Sequence, residues 1–300
     1  VLFDWLLRAL GAVAIVVAVR DIFHTLWHPS GFGTLARRVA RAIWRVDQAT
    51  LRFRRRNTVV GPVIVFTTVL VWSSLAIVGW ALIYLSWMPE GFYFDSSLQP
   101  HRSDDVWASL YLSLVTVATL GFGDIVPATP ALRLLAPLQA VVGFVLLTAA
   151  ISWILQIYPA LGRRRAAALR LHGLATSRAH ETVAAGDPRI AAAVLESLAA
   201  DLRGITVDVK QYAETYYFWD AEESTSLSAN LSYALVLVES AAEAGSADVR
   251  RLGRMLADTL SVLAGDLDGQ HLRTGGDTAQ ILAAYVRDHR GEQHRDEAAL

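Results

Sequence analysis

Thr119-Leu120-Gly121-Phe122-Gly123-Asp124 sets two glycines around one bulky apolar residue, inside the run ASLYLSLVTVATLGFGDIVP. Glycine adopts backbone angles that other residues reach only at a cost, so left- and right-handed conformations can alternate here. Such alternation turns successive carbonyls to one side, where a strand would zigzag. Thr119, Leu120, Gly121 and Phe122 would then offer a column of peptide oxygens, ending in the Thr119 hydroxyl. Four columns around an axis would give oxygen rings able to replace the water shell of a dehydrated potassium ion. One loop per chain calls for a homotetramer with fourfold symmetry.

A second group with chemical potential is Asp21, His24 and His28, on one face of a helix. Histidines at i and i+4 have metal-ligand spacing, and a site there would be regulatory. The plainer reading, and the favoured one, is that these groups mark the end of a membrane span.

The elements that must position the loop follow from hydropathy and charge. Of the 300 residues 54% are hydrophobic, above the usual soluble range of roughly 45–50%, and the excess lies before residue 160. A membrane helix needs about 20 mostly apolar residues. Val59–Trp87 and Ala131–Leu161 qualify, the latter despite Arg133 and Pro137. Val1–Trp27 is weaker, broken by Arg8, Arg20, Asp21 and His24. It is read as a third span, since a cleaved signal should end in small residues rather than DIFHTLWHP. Val1 in place of an initiator Met leaves room for preceding residues.

Gly33–Asn57 holds eight arginines against Asp47, and Arg163-Arg164-Arg165 follows the last span, whereas the 88–130 connection has five acids and only Arg102. Short loops rich in Lys/Arg stay in the cytoplasm. The expected course is N-terminus outside, in at residue 28, out at 88 and in again at 162, as a multi-pass protein of the cell membrane. Asp105–Val117 is apolar but too short to cross, so it must enter and return. Non-helical backbone at that depth survives only where protein or a water-filled cavity satisfies it.

The sequence here resembles the pore domain of potassium channels, whose filter reads T-V-G-Y-G-D. The resemblance covers roughly residues 60–160: a span, a re-entrant helix, TLGFGD, Pro127 just after, and a second span. It implies an all-α membrane protein with a tetrameric pore fold, potassium ions held by Thr119, Leu120, Gly121, Phe122 and Gly123, and a glycine hinge at Gly143. This chain would add an N-terminal transmembrane helix (1–28), a basic interfacial helix (33–57) and a helical cytoplasmic domain (162–300) around the pore domain (59–161).

Besides Leu120, which replaces the commonest filter residue at its position, it departs from the family in three places. Phe122 replaces the usual Tyr, and the pore-helix aromatic pair is Tyr111-Leu112, so the phenol and its usual partner are lost together. Val115 stands where some bacterial relatives have a Glu that shares a proton with the filter Asp. Asp124 therefore needs another partner. Tyr111 lies where a donor to that carboxylate sits in related channels, so the resemblance implies a hydrogen bond from its hydroxyl, with packing as the alternative role for that ring. Thr116 is counted with Tyr111 and Asp124 as filter support.

Counting helically from Gly143, residues Phe144, Leu147, Ile151 and Leu155 form one stripe, assigned to the pore wall and a dewetting gate. The alternative lining is Thr148 and Ser152. Pro137 and Gly143 are both candidate bending points.

Gating charges require an apolar helix among partner spans. The 37–56 arginines lack that setting, and Val39, Ile43, Val46 and Leu51 suit an amphipathic helix on anionic headgroups. Segments 163–183, 188–203, 206–219, 226–243, 247–265 and 277–290 carry helical periodicity. Tyr212, Tyr216, Tyr217, Phe218 and Trp219 are expected in a core or subunit contact, a ligand pocket being the lesser reading. No dinucleotide fingerprint or nucleophile–base pair stands out, and neither enzymatic activity nor a nucleic-acid partner is expected. The rivals to a potassium channel are a weakly selective cation channel and a membrane-bound sensor or metalloprotein built on Asp21, His24 and His28.

Overall fold

The computed structural model describes residues 1–28, 33–50, 58–95 and 105–290, without the side chains of Thr50 and Arg290. Leu51, Arg52, Arg54, Arg55, Arg56, Arg102 and residues 291–300, which entered the reading above, lie outside the described residues. The fold is almost entirely helical. Packing divides the described residues into two compact units: residues 1–28, 33–39, 65–95 and 105–155, and residues 40–50, 58–64 and 156–290.

In chain order the elements are α1 (Leu2–Leu26), α2 (Thr34–Thr50), α3 (Val60–Leu85), β1 (Phe92–Phe94), α4 (Asp105–Val117), β2 (Ile125–Pro127), α5 (Pro130–Thr176), α6 (Ala179–Ala185), α7 (Pro188–Gln211), α8 (Leu227–Asn230), α9 (Ser232–Glu243), α10 (Ala247–Leu267) and α11 (Thr278–Arg290). Three of them, α1, α3 and α5, are long and apolar enough to cross a membrane. The protein is an all-α membrane protein.

In the first unit α1 lies on α3 where Gly11 and Gly79 meet. A Cβ on either glycine would collide with the backbone of the other, and without side chains between them the helices pack backbone to backbone. Trp80, Tyr84, Met88, Phe92, Leu112, Ile125 and Leu132 form the core that joins α3, α4 and α5. No strand is expected from the hydropathy pattern, yet Phe92–Phe94 pairs antiparallel with Ile125–Pro127, stitching the segment after α3 to the segment after the TLGFG loop. Helix α5 begins as turn chemistry dictates. Pro130 holds the first helical position, where a missing N–H costs nothing, and Thr129 Oγ1 accepts the Leu132 N–H at 3.4 Å.

α5 does not stop at residue 161. It runs for 47 residues, unbroken through Pro137, Gly143 and the three arginines, because arginine is a good helix former and a membrane boundary is not a helix breaker.

In the second unit α7, α9 and α10 pack through Leu195, Leu198, Leu202, Leu237, Leu256, Leu260 and Leu263, all buried. Asp187 caps α7 by accepting the Arg189 N–H at 2.8 Å, with Pro188 next. The helix expected over 206–219 ends at Gln211, and Ala213–Tyr217 is a 3-10 turn. Arg164 accounts for the break. Its guanidinium donates to the carbonyls of Thr215 and Phe218 and to Asp220 at 2.9 Å.

Candidate functional site

The TLGFG loop hangs from the end of α4. The N–H groups of Ala118, Thr119 and Leu120 donate to the carbonyls of Leu114, Thr116 and Val115 at 3.0, 3.0 and 2.9 Å. Beyond that attachment φ is positive at every second residue: 58° at Thr119, 54° at Gly121 and 81° at Gly123. Nothing lies within 4 Å of a Cβ built on Gly121 or Gly123, so the backbone angle, not crowding, calls for glycine there. Thr119 holds a left-handed angle despite its branched side chain, a strain of about 1–3 kcal/mol characteristic of functional backbone. Leu120 and Phe122 point their side chains into the open, 60% and 65% exposed in the single chain.

Asp124 ends the loop. One carboxylate oxygen accepts the Tyr111 hydroxyl at 2.6 Å and the other the Ile125 N–H at 3.1 Å. Its carbonyl accepts the Asp95 N–H at 2.9 Å. Thr116 supports the loop through its carbonyl alone, since its hydroxyl donates to Leu112 O within α4. Val115, where a carboxylate partner for Asp124 would stand, is buried.

On α5 the stripe of Phe144, Leu147, Ile151 and Leu155 is exposed, while Leu146, Ala149, Ala150 and Trp153 are buried. Thr148 is exposed and returns its hydroxyl to the Phe144 carbonyl; Ser152 is half-buried. Gly143 lies against the backbone of Val117 at the end of α4, too close for any side chain. This glycine is a packing contact within a continuous helix.

Sequence reasoning missed a fully buried polar network of this unit. Gln139 is fully buried in α5. Its amide donates to the carbonyl and the hydroxyl of Ser113, both at 2.9 Å, and accepts the Tyr84 hydroxyl at 2.5 Å. Ser113 in turn donates to Ile77 O at 2.7 Å. The signal available was an amide near the middle of an apolar span, which by default has a task.

The metal reading of Asp21, His24 and His28 is not supported. Among the described residues no cluster of three His, Cys, Asp or Glu could hold an ion. The Asp21 carboxylate turns instead to the start of α2, accepting the N–H groups of Leu35 and Ala36 at 2.8 and 3.1 Å and the Trp72 indole N–H at 2.9 Å. The His24 and His28 rings lie 4.9 Å apart.

Tyr216, Tyr217, Phe218 and Trp219 are buried in the second unit, where Trp44 of α2 stacks on Trp219 at 5.0 Å and donates to Asp288 at 3.2 Å. Burial pushes the Tyr216 hydroxyl well above its ordinary pKa, and the Tyr285 hydroxyl up to about 12.

Residues 67–158 match the family model described as "Ion channel". This segment is similar to a pore domain of the ion-channel type, within a chain that threads the membrane more than once. The chain is also 26% identical over 145 residues to the uncharacterized membrane protein YdjJ of Bacillus subtilis (strain 168), a match that takes in 48% of this chain and 41% of that protein. The chain thus spans less than half the length of that relative. No solved structure matches it.

Proposed function

We propose that four copies of this chain form a potassium-selective channel of the cell membrane, conducting passively through a filter of Thr119, Leu120, Gly121, Phe122 and Gly123. The observation that carries this reading is the positive φ at Thr119, Gly121 and Gly123 with ordinary angles between. That alternation aligns successive carbonyls, and four aligned columns replace a dehydrated potassium ion's water shell. The exposed apolar faces of Leu120, Phe122 and the Phe144-Leu147-Ile151-Leu155 stripe suit burial against neighbouring subunits and along a closable pore. The arginines of α2 (Arg37, Arg38, Arg41, Arg45) are placed to meet anionic headgroups, with the N-terminus outside and residues 162–300 in the cytoplasm.

A second reading is a weakly selective cation channel, favoured by Leu120 and Phe122 in place of the commonest filter residues. Liposomes carrying the purified full chain separate the two. A tetrameric particle passing potassium far faster than sodium, with block by barium, supports the first. Comparable fluxes support the second, and a monomer or dimer without flux overturns both.

A further inference from the structure

We infer that Gln139 is a positioning residue for ion discrimination: it fixes the height of α4, and through α4 the geometry of the filter. The inference rests on the conduction reading above.

Gln139 lies within the apolar span of α5, where no water is at hand to satisfy an amide. Such a group is tolerated only when its hydrogen bonds are made internally. Here all are made, and they run in one direction across three helices: Tyr84 of α3 donates to Gln139, Gln139 to Ser113 of α4, and Ser113 to the Ile77 carbonyl of α3. Chains of aligned hydrogen bonds polarise one another, so the links resist sliding together. One helical turn further along α5, Gly143 rests on Val117, one turn further along α4. The pairs Gln139–Ser113 and Gly143–Val117 therefore lock the two helices in register at two successive turns.

The filter begins where that lock ends. Thr119 and Leu120 are tied by their N–H groups to Thr116 and Val115, and Thr119 carries the one left-handed non-glycine angle of the loop. A shift of α4 along α5 therefore reaches the first filter carbonyls directly. Oxygen rings discriminate between ions by the number and placement of their carbonyls, so loosening the lock relaxes discrimination before it abolishes conduction.

The test uses full-length chain in liposomes, with potassium and sodium fluxes measured for wild type, Gln139→Leu, Tyr84→Phe and Ser113→Ala. Tyr84→Phe removes one oxygen and serves if Gln139→Leu fails to assemble. In variants assembling like wild type, the potassium-to-sodium flux ratio is expected to fall about tenfold for Gln139→Leu, the size set by loss of a buried hydrogen-bonded group, and less for Tyr84→Phe. Combining Ser113→Ala with Gln139→Leu is expected to add little, since both act on one link. Assembled Tyr84→Phe and Gln139→Leu channels that keep the wild-type ratio overturn the inference, and so does an unchanged ratio in Tyr84→Phe when Gln139→Leu does not assemble. A wild-type ratio near one rejects the conduction reading itself, and this inference with it.

Discussion

The Trp72 indole donates to the Asp21 carboxylate at 2.9 Å, and the same carboxylate receives the first free N–H groups of α2 from Leu35 and Ala36. Asp21 is thus the N-cap of a helix thirteen residues downstream of it, and its negative charge meets the positive end of that helix dipole. Gly33 is needed beside it, since a Cβ there would press on the Asp21 and Thr25 side chains. Replacing Asp21 with Ala strands three donors, those of Ala36 and Trp72 buried and that of Leu35 half-buried. The expected loss is about 3 kcal/mol, read as a lowered unfolding midpoint in detergent, with Trp72→Phe costing about 1 kcal/mol. Equal midpoints for wild type and Asp21→Ala would contradict the capping role.

Tyr111→Phe removes only the hydroxyl that binds Asp124. On the proposed channel reading, fold and assembly should be unchanged, and sustained currents in single-channel recordings should decay severalfold faster, because Asp124 then keeps only the Ile125 N–H on its side chain. Unaltered decay would leave Tyr111 as packing alone.

Gly143→Ala should behave as a packing lesion rather than a change of hinge. The added methyl meets the Val117 backbone, which cannot yield as a flexible side chain would. Overpacking of this kind costs about 1–3 kcal/mol and should lower the thermal stability of the assembled particle. A variant with full stability and altered opening alone would instead support the hinge reading.

Arg164 is buried between Asp220 and the carbonyls of Thr215 and Phe218, and Arg165 shares the same aspartate at 2.9 Å. Removing one partner of a buried pair leaves a charge without its counter-ion, at about 3–5 kcal/mol. Asp220→Asn should therefore lower the denaturant midpoint of the 156–290 unit more than the exposed-end variant Arg165→Ala does. Circular dichroism on the full chain reads the difference.

His289 is buried against Tyr216, Trp44, Trp219 and Tyr285. Burial holds its imidazole below the ordinary range, and Arg164 adds to this; Asp288 and the carbonyls of Tyr216 and Tyr285 pull the other way. The unfolded chain then binds the proton more readily than the folded one. Nothing is lost well above the ordinary histidine pKa of about 6.5, and stability declines as pH falls below it, at no more than about 1.4 kcal/mol per pH unit. His289→Gln should flatten the curve of unfolding midpoint between pH 7.5 and 5. A His289→Gln curve as steep as wild type assigns the slope to other groups.

How much of this was readable beforehand depends on the range of the interaction. The spans, the short α4 and the glycine alternation are local and follow from hydropathy and backbone sterics. Tyr111 and Asp124 could be paired because Tyr111 stands where related channels place a donor to the filter carboxylate. Gln139 and Asp21 could not, since nothing in a linear chain says that an amide finds a serine on α4, or that a carboxylate beside two histidines faces away from them. The helix forecast over 206–219 failed for the same reason: Arg164, distant in sequence, takes the carbonyls.

Arg8 donates to Ser86 at 2.8 Å and lies 4.2 Å over the Trp87 ring, while Asp21 is held in protein at the other end of the same helix. The stretch of α1 between these two charges rises only about 20 Å, against about 30 Å of hydrocarbon in a typical bilayer. Because Ser86 and the Trp87 face satisfy Arg8 and protein donors satisfy Asp21, this flank can hold both charges inside the hydrocarbon thickness, and protein groups rather than lipid headgroups set its depth.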